Sequence, residues 1–142
     1  MKLDLARQIA HGALAEGRKL NLAPLAVSVL DAGGNLVCFE REDGAGIVRF
    51  DITFAEAWGS LGMGFSSREL ARRSQQQPTF FATLAAVSGG RMAPSPGGLP
   101  IAGAAGTVIG AIGVSGDTGD KDELCAIAGI QTAGLTAVAD RQ

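Results

Sequence analysis

Few side chains in this sequence have the type and spacing to do chemistry. His11 is the only histidine. One imidazole cannot build a multi-histidine metal site, but it can serve as a haem axial ligand or a general base. At three- and four-residue spacing it falls opposite the apolar stripe of the first predicted helix. Two readings follow: a solvated surface histidine, or a ligand at a subunit boundary or haem edge. Cys38 and Cys125 are the only cysteines and have no CxxC partner, so neither a disulfide framework nor a zinc site is expected. Cys38 falls inside a predicted strand. Cys125 falls in the first turn of the last helix, where Asp122 and Glu123 oppose activation of a thiol. Both read as small core or boundary residues.

The polar set Arg41, Asp43, Asp51 and Glu56 flanks one glycine-bearing loop and the helix after it. Convergence on a single pocket would let the arginine clamp a carboxylate while the acids act as bases or weak metal ligands. The competing reading is a structural ion-pair set at the loop. The run Gly110-Ala-Ile-Gly-Val-Ser-Gly116 lies between a strand and a helix, where phosphate loops also lie. It lacks the Lys-Ser/Thr ending of a P-loop and the GxGxxG spacing, and Asp117, Asp120, Asp122 and Glu123 would repel a phosphate. Its glycines read instead as close packing between strand and helix. No GxSxG elbow supports a serine nucleophile.

The elements that must position these groups follow from periodicity. Leu3, Ala6, Ile9, Ala10, Ala13, Gly17 and Leu20 form one stripe of a helix over 3–20, which Asn21 to Pro24 ends. Runs at 25–30 and 36–39, joined by Asp31-Ala-Gly-Gly-Asn35, predict a hairpin. A helix over 51–65 has two apolar sides, one of Phe54, Trp58, Leu61 and Phe65 and one of Ile52, Ala55, Gly59 and Gly62. Thr53, Glu56 and Ser60 make its polar arc. Short helices are expected at 67–74, with Ser67 as a cap, and at 78–87, then a loop over 88–100. Strands at 101–102 and 108–114 precede a last helix from Asp120. There Asp120 and Glu123 match a capping box, and Leu124, Ile127, Ala128, Leu135 and Val138 supply the stripe. Strand pairs with tight turns and helices at both ends imply an α+β layer architecture around an antiparallel sheet.

The 142 residues suit one domain, 1–142, and charged residues make up 18% against a usual ~25%. A net charge of −2 offers no basic stripe, so nucleic acid is excluded as a partner. No apolar h-region follows Met1 and no stretch is long enough to span a bilayer, so the expectation is a cytoplasmic protein without a membrane partner.

Four stretches run in the order of a known family: VLDAGGNLVCFEREDGAG (29–46), AWGSLGMG (57–64), PGGLPI (96–101) and VIGAIGVSGDTGDKDELCAIAGI (108–130). On these the chain resembles the GlcG/HbpS family of haem-degrading and haem-binding-like proteins, related to the C-terminal domain of PduO-type cobalamin enzymes. The resemblance covers essentially the whole chain. It implies a profilin-like α-β-α fold with helices on both sides of the sheet, and a homo-oligomer, from dimer to octamer. It also implies a small-molecule ligand. Haem or a similar planar molecule is the ligand it brings forward, with His11 as axial ligand by analogy and the Phe54, Trp58 and Phe65 side as an apolar wall. One position departs from the pattern: the family commonly has lysine where this chain has Glu56. Two other classes remain beside ligand binding, namely an enzyme or accessory factor acting on a small organic acid in a catabolic pathway, and a purely structural subunit. The two-sided helix at 51–65 argues for self-association, unless the 67–87 region covers its aromatic side.

Overall fold

A computed structural model describes residues 1–138 and 140; Gln142, the expected end of the domain, lies outside them. In chain order the elements are α1 (Leu3–Lys19), β1 (Ala26–Asp31), β2 (Leu36–Arg41), α2 (Arg49–Met63), α3 (Ser67–Gln76), α4 (Pro78–Val87), β3 (Gly98–Ala102), β4 (Val108–Ser115), α5 (Gly119–Thr132) and β5 (Thr136–Ala137). The five strands form one antiparallel sheet in the order β2-β1-β4-β3-β5. Helices α1 and α5 pack on one face and α2 on the other, so the expected α-β-α layering is present.

The α1 stripe does what its spacing demands. Ala6, Ile9, Ala10, Ala13 and Gly17 are buried, and Ile9 joins Leu25, Val27, Val29, Ile112, Val114 and Ile130 in the main core. Each of these larger side chains contributes about 1.5–3 kcal/mol on burial. The helix ends at Lys19, and Asn21, the residue after the Leu20 cap, has a φ of 55°, the left-handed conformation that stops helices. The hairpin is pinned by Asp31, whose Oδ1 accepts from the N–H groups of Gly33 at 3.0 Å and Asn35 at 2.9 Å.

Helix α5 differs from its expected stripe. It ends at Thr132, so Leu135 and Val138 lie beyond it. Leu124 is exposed, while Asp122, Cys125, Ala126, Gly129 and Ile130 face inward. The cause is close contact with α1: a Cβ on Gly129 would overlap the carbonyl oxygen of Ile9, so only small residues fit at this seam. The N-cap is Thr118 rather than Asp120, and no side chain caps it. Asp120 and Glu123 are instead both bonded by Arg68 of α3. The cap of α3 is Ser66, not Ser67; its Oγ accepts from the Glu69 N–H at 3.1 Å. Ser67 Oγ bridges the Ser95 carbonyl and the Gly98 N–H, tying the 88–97 loop to β3.

The largest departure concerns α2. Thr53, Glu56 and Ser60, expected on the solvent side, are 0%, 1% and 0% exposed, and Thr53 Oγ1 lies 2.8 Å from Ser28 Oγ of β1. Gly98 and Gly113 are cross-strand partners on β3 and β4. A Cβ on Gly113 would overlap the Thr53 carbonyl oxygen, and one on Gly98 would overlap that of Glu56. The helix backbone therefore rests directly on a strip of sheet without side chains, and its short polar residues point into the protein. Phe54, Trp58 and Leu61 are half-buried to one side, against Leu30, Ala57 and Ala111, so the chain itself partly covers the aromatic side. Helix α4 buries no residue. Among the described residues no helix is long and apolar enough to cross a membrane.

Candidate functional site

The residues expected to share one pocket occupy three places. Arg41 and Asp43 line an open concavity of about 460 Å³ with Arg18, Pro24 and Glu42. Within it Arg18 is committed: it bonds Glu42 Oε2 at 3.0 Å and the carbonyls of Leu22 and Ala23. Asp51 is exposed in the first turn of α2. Trp58 lies between Gly34 of the hairpin turn and the guanidinium of Arg91, whose carbon is 4.2 Å from the ring centroid. Glu56 is deep under α2. The four-residue convergence that motivated a small-acid site is not formed, because the glycine strip turns Glu56 toward the sheet.

Glu56 belongs to a buried polar centre that sequence spacing does not reveal. Its carboxyl lies against Gly97, and Oε2 has no hydrogen-bond partner. Burial, then the facing Asp122 carboxylate, holds its pKa well above the usual carboxylate value, against the pull of Arg49 and the Val114 N–H. Asp122, 3% exposed, is pushed up to about 6, chiefly by burial. It accepts the Asp117 N–H at 3.0 Å. Arg49 Nη1 donates to Ser115 Oγ at 2.8 Å, placing its positive charge by the two acids. Asp122 and Arg49 are 66 and 7 residues from Glu56, and only the seven-residue helical repeat of Arg49 and Glu56 was open to sequence reading.

His11 projects from the outer side of α1 toward β2. Its Nε2 lies 2.8 Å from Glu40 Oε1, with side-chain exposures of 63% and 29%. The register explains the meeting: Cys38, Glu40 and Glu42 alternate onto the α1 side of β2, Cys38 into the core and the two glutamates opposite His11 and Arg18. Glu40 escaped sequence reading because its partner lies on another element. Cys38 and Cys125 are buried free thiols, and burial pushes Cys125 up to about 11. Neither is activated as a nucleophile. Among the described residues no group of three or more histidine, cysteine or acidic side chains is placed to hold a metal ion.

With this fold and these groups, the chain belongs to the family described as haem degrading protein HbpS-like, whose pattern it matches over residues 1–131. It is 32% identical over 124 residues, 87% of this chain and 85% of the other, to an uncharacterized 15.0 kDa protein of the dhaT-dhaS intergenic region of Citrobacter freundii. Among solved structures, a double mutant of Streptomyces reticuli HbpS is 31% identical, with 92% of this chain and 85% of that one covered and a TM-score of 0.80. The haem complex of PduOC has the same fold at 23% identity, with 95% and 96% covered and a TM-score of 0.85.

Proposed function

We propose that this chain binds haem or a closely related planar, metal-bearing ligand, with His11 supplying the metal ligand. The observation that carries the reading is the exposed His11 imidazole, oriented by Glu40 at 2.8 Å, in a member of the HbpS-like family. A metal-binding histidine usually has a carboxylate or carbonyl behind one ring nitrogen, leaving the other for the metal. Here Glu40 takes Nε2, the nitrogen remote from Cβ, so ligation of haem iron by His11 requires Nε2 to turn from Glu40 to the metal. The PduOC relative was solved with haem, which supports the same ligand class. Titration of the purified protein with haemin should give a Soret shift that saturates at a fixed stoichiometry. His11→Ala should weaken binding at least tenfold or abolish the shift. Unchanged binding by His11→Ala would overturn the assignment. The small-acid reading keeps only Arg41 and Asp43 of its four residues, in the open concavity they share with Arg18, Pro24 and Glu42.

The same reading includes self-association, in the range from dimer to octamer. Among the described residues, exposed apolar side chains cluster at two places that could serve it. One is α4, with Phe80 and Val87 exposed. The other precedes and begins α2, where Ile47 is 87% exposed beside Val48 and Phe50. Contiguous apolar surface of this kind usually marks an interface. Light scattering at micromolar concentration should report a multiple of 14.4 kDa, and Phe80→Glu with Val87→Glu should reduce it. A monomeric wild type would refute the assembly.

A further inference from the structure

We infer that the hollow between the end of α3 and the start of α4 binds a small aromatic carboxylate, with the acid group on Arg73 and the ring against Phe80. No residue of α1 or β2 lines it, so it lies apart from His11 and does not depend on the haem reading. One break in the chain brings its residues together. Arg72 and Arg73 occupy the second half of α3, Gln77 interrupts the helix, and Pro78 opens α4 where its missing N–H costs nothing. The hollow measures about 270 Å³, and beside the two arginines it is lined by Met63, Gln76, Gln77, Phe80 and Phe81.

Arg73 is held from two sides. Its Nε donates to Glu69 Oε1 at 2.9 Å, and its guanidinium carbon lies 4.1 Å from the centroid of the Phe65 ring. Those contacts use Nε and one face of the planar fork. Among the described residues nothing bonds Nη1 or Nη2, the two nitrogens whose parallel N–H groups match a carboxylate. The fork is therefore oriented in advance, with its bidentate end unused. The charge is unbalanced as well. Glu69 is the buried carboxylate that both arginines share: Arg72 donates to it through Nε at 2.8 Å and through Nη2, and Arg73 through Nε. These two cations hold its carboxyl at about 2, so it stays ionised. Two positive charges against one negative leave an excess of one, and no acid lines the hollow, so a monoanion restores neutrality. The apolar lining selects the body of the ligand. Phe80 is 51% exposed and meets Phe81 edge to face, with ring centroids 5.6 Å apart. A ring laid on Phe80 covers apolar surface that water otherwise contacts. An apolar cavity of ~150 Å³ holds benzene, so about 270 Å³ takes one ring and a short acid arm.

Calorimetric titration with phenylacetate, phenylacetamide and acetate tests the site in wild type, Arg73→Gln, Arg73→Lys and Arg41→Gln. Each is checked by far-UV circular dichroism, and by light scattering because Phe80 also lies on the surface proposed for self-association. Phenylacetate should bind the wild type at one site per chain. Phenylacetamide, of the same shape but neutral, and acetate, charged but without the ring, should each bind about tenfold or more weakly. Arg73→Gln should weaken phenylacetate about 10–100-fold. Arg73→Lys should recover only part of that loss, because an ammonium keeps the charge and lacks the fork. In the wild type, which needs no variant to fold, phenylacetate should move the ring resonances of Phe80 and the guanidinium resonance of Arg73. No saturable binding of phenylacetate to the wild type overturns the proposal, and so does binding that Arg73→Gln leaves unchanged. Acetate binding as tightly as phenylacetate overturns the aromatic class. A loss confined to Arg41→Gln, or resonance shifts confined to other residues, would put the acid in the other concavity or elsewhere and overturn the site. None of these results bears on His11, whose haem titration stands or fails by itself.

Discussion

Gly113→Ala should lower stability by on the order of 4 kcal/mol, a large part of the 5–15 kcal/mol typical of a whole domain. The added methyl would lie closer to the Thr53 carbonyl oxygen than the 3.0 Å that real Cβ atoms keep, and the Thr53 carbonyl carbon and Cα crowd the same space. Those are backbone atoms of α2, not the end of a flexible side chain. Relief requires lifting the helix from the sheet, which also opens the contacts of Gly98 with Glu56 and the Ser28–Thr53 hydrogen bond. A fall in Tm of roughly 10–15 °C follows for a chain of this size. Gly46→Ala is the control, since nothing lies within 4 Å of its Cβ position and its φ is ordinary; it should change stability by less than about 0.5 kcal/mol. Thermal unfolding with both variants near the wild-type Tm would show that α2 has room to move.

The protein should be more stable at pH 5.5 than at pH 8, opposite to ordinary acid sensitivity. Asp122 titrates near 6 when folded against 3.8 as its ordinary value, so the folded state holds the proton more tightly. Folding then loses stability as pH rises from about 4 through 6; of a full cost of about 3 kcal/mol at 1.36 kcal/mol per pH unit, only about 1 kcal/mol from Asp122 falls between pH 5.5 and 8. Glu56 acts in the same direction, because its folded form also favours the proton. Other carboxylates set the lower limit. Glu69, held at about 2 by Arg72 and Arg73, and Asp31 and Asp117, lowered by backbone N–H groups, contribute stability that is lost as pH falls from their ordinary values through their lower folded ones. Urea unfolding at both pH values measures the difference. Glu56→Gln, which keeps the shape and removes the charge, should raise stability at pH 8 by about 1–3 kcal/mol and flatten the profile. A loss of stability in Glu56→Gln at pH 8 would mean that the charge is stabilised where it lies.

The one-sided stripe of α1 and the Asp31–Asn35 turn were legible because their determinants are local: apolar spacing against one face, and side chain to backbone bonds within five residues. Periodicity gave an α+β architecture around an antiparallel sheet, and the placement of helices on both sides of it came from the family resemblance. The orientation of α2 was not. Periodicity treats Thr53, Glu56 and Ser60 as a solvent arc because they are polar, yet what they face is set by Gly98 and Gly113, distant in sequence and empty of side chain. The same limit applies to α5, where contact with α1 selects small residues over Leu124. His11 could be found as the only imidazole, but its partner Glu40 depends on strand register. Arg41 and Asp43 line one concavity because they are two residues apart, at the end of β2 and just after it; Glu56 does not join them, since the helix carries it away.

Helix α4 has a consequence for the energetics of the molecule. Ten residues without a buried side chain are too short to hold a helix in water on propensity alone. Its half-buried Phe81, Leu84 and Ala85 give it less packing than the sheet, α1, α2 and α5 have, so its amides should exchange with solvent faster than theirs. In the self-association proposed above, a copy that covered Phe80 and Val87 would also stabilise this segment, linking the helix content of the chain to protein concentration by mass action.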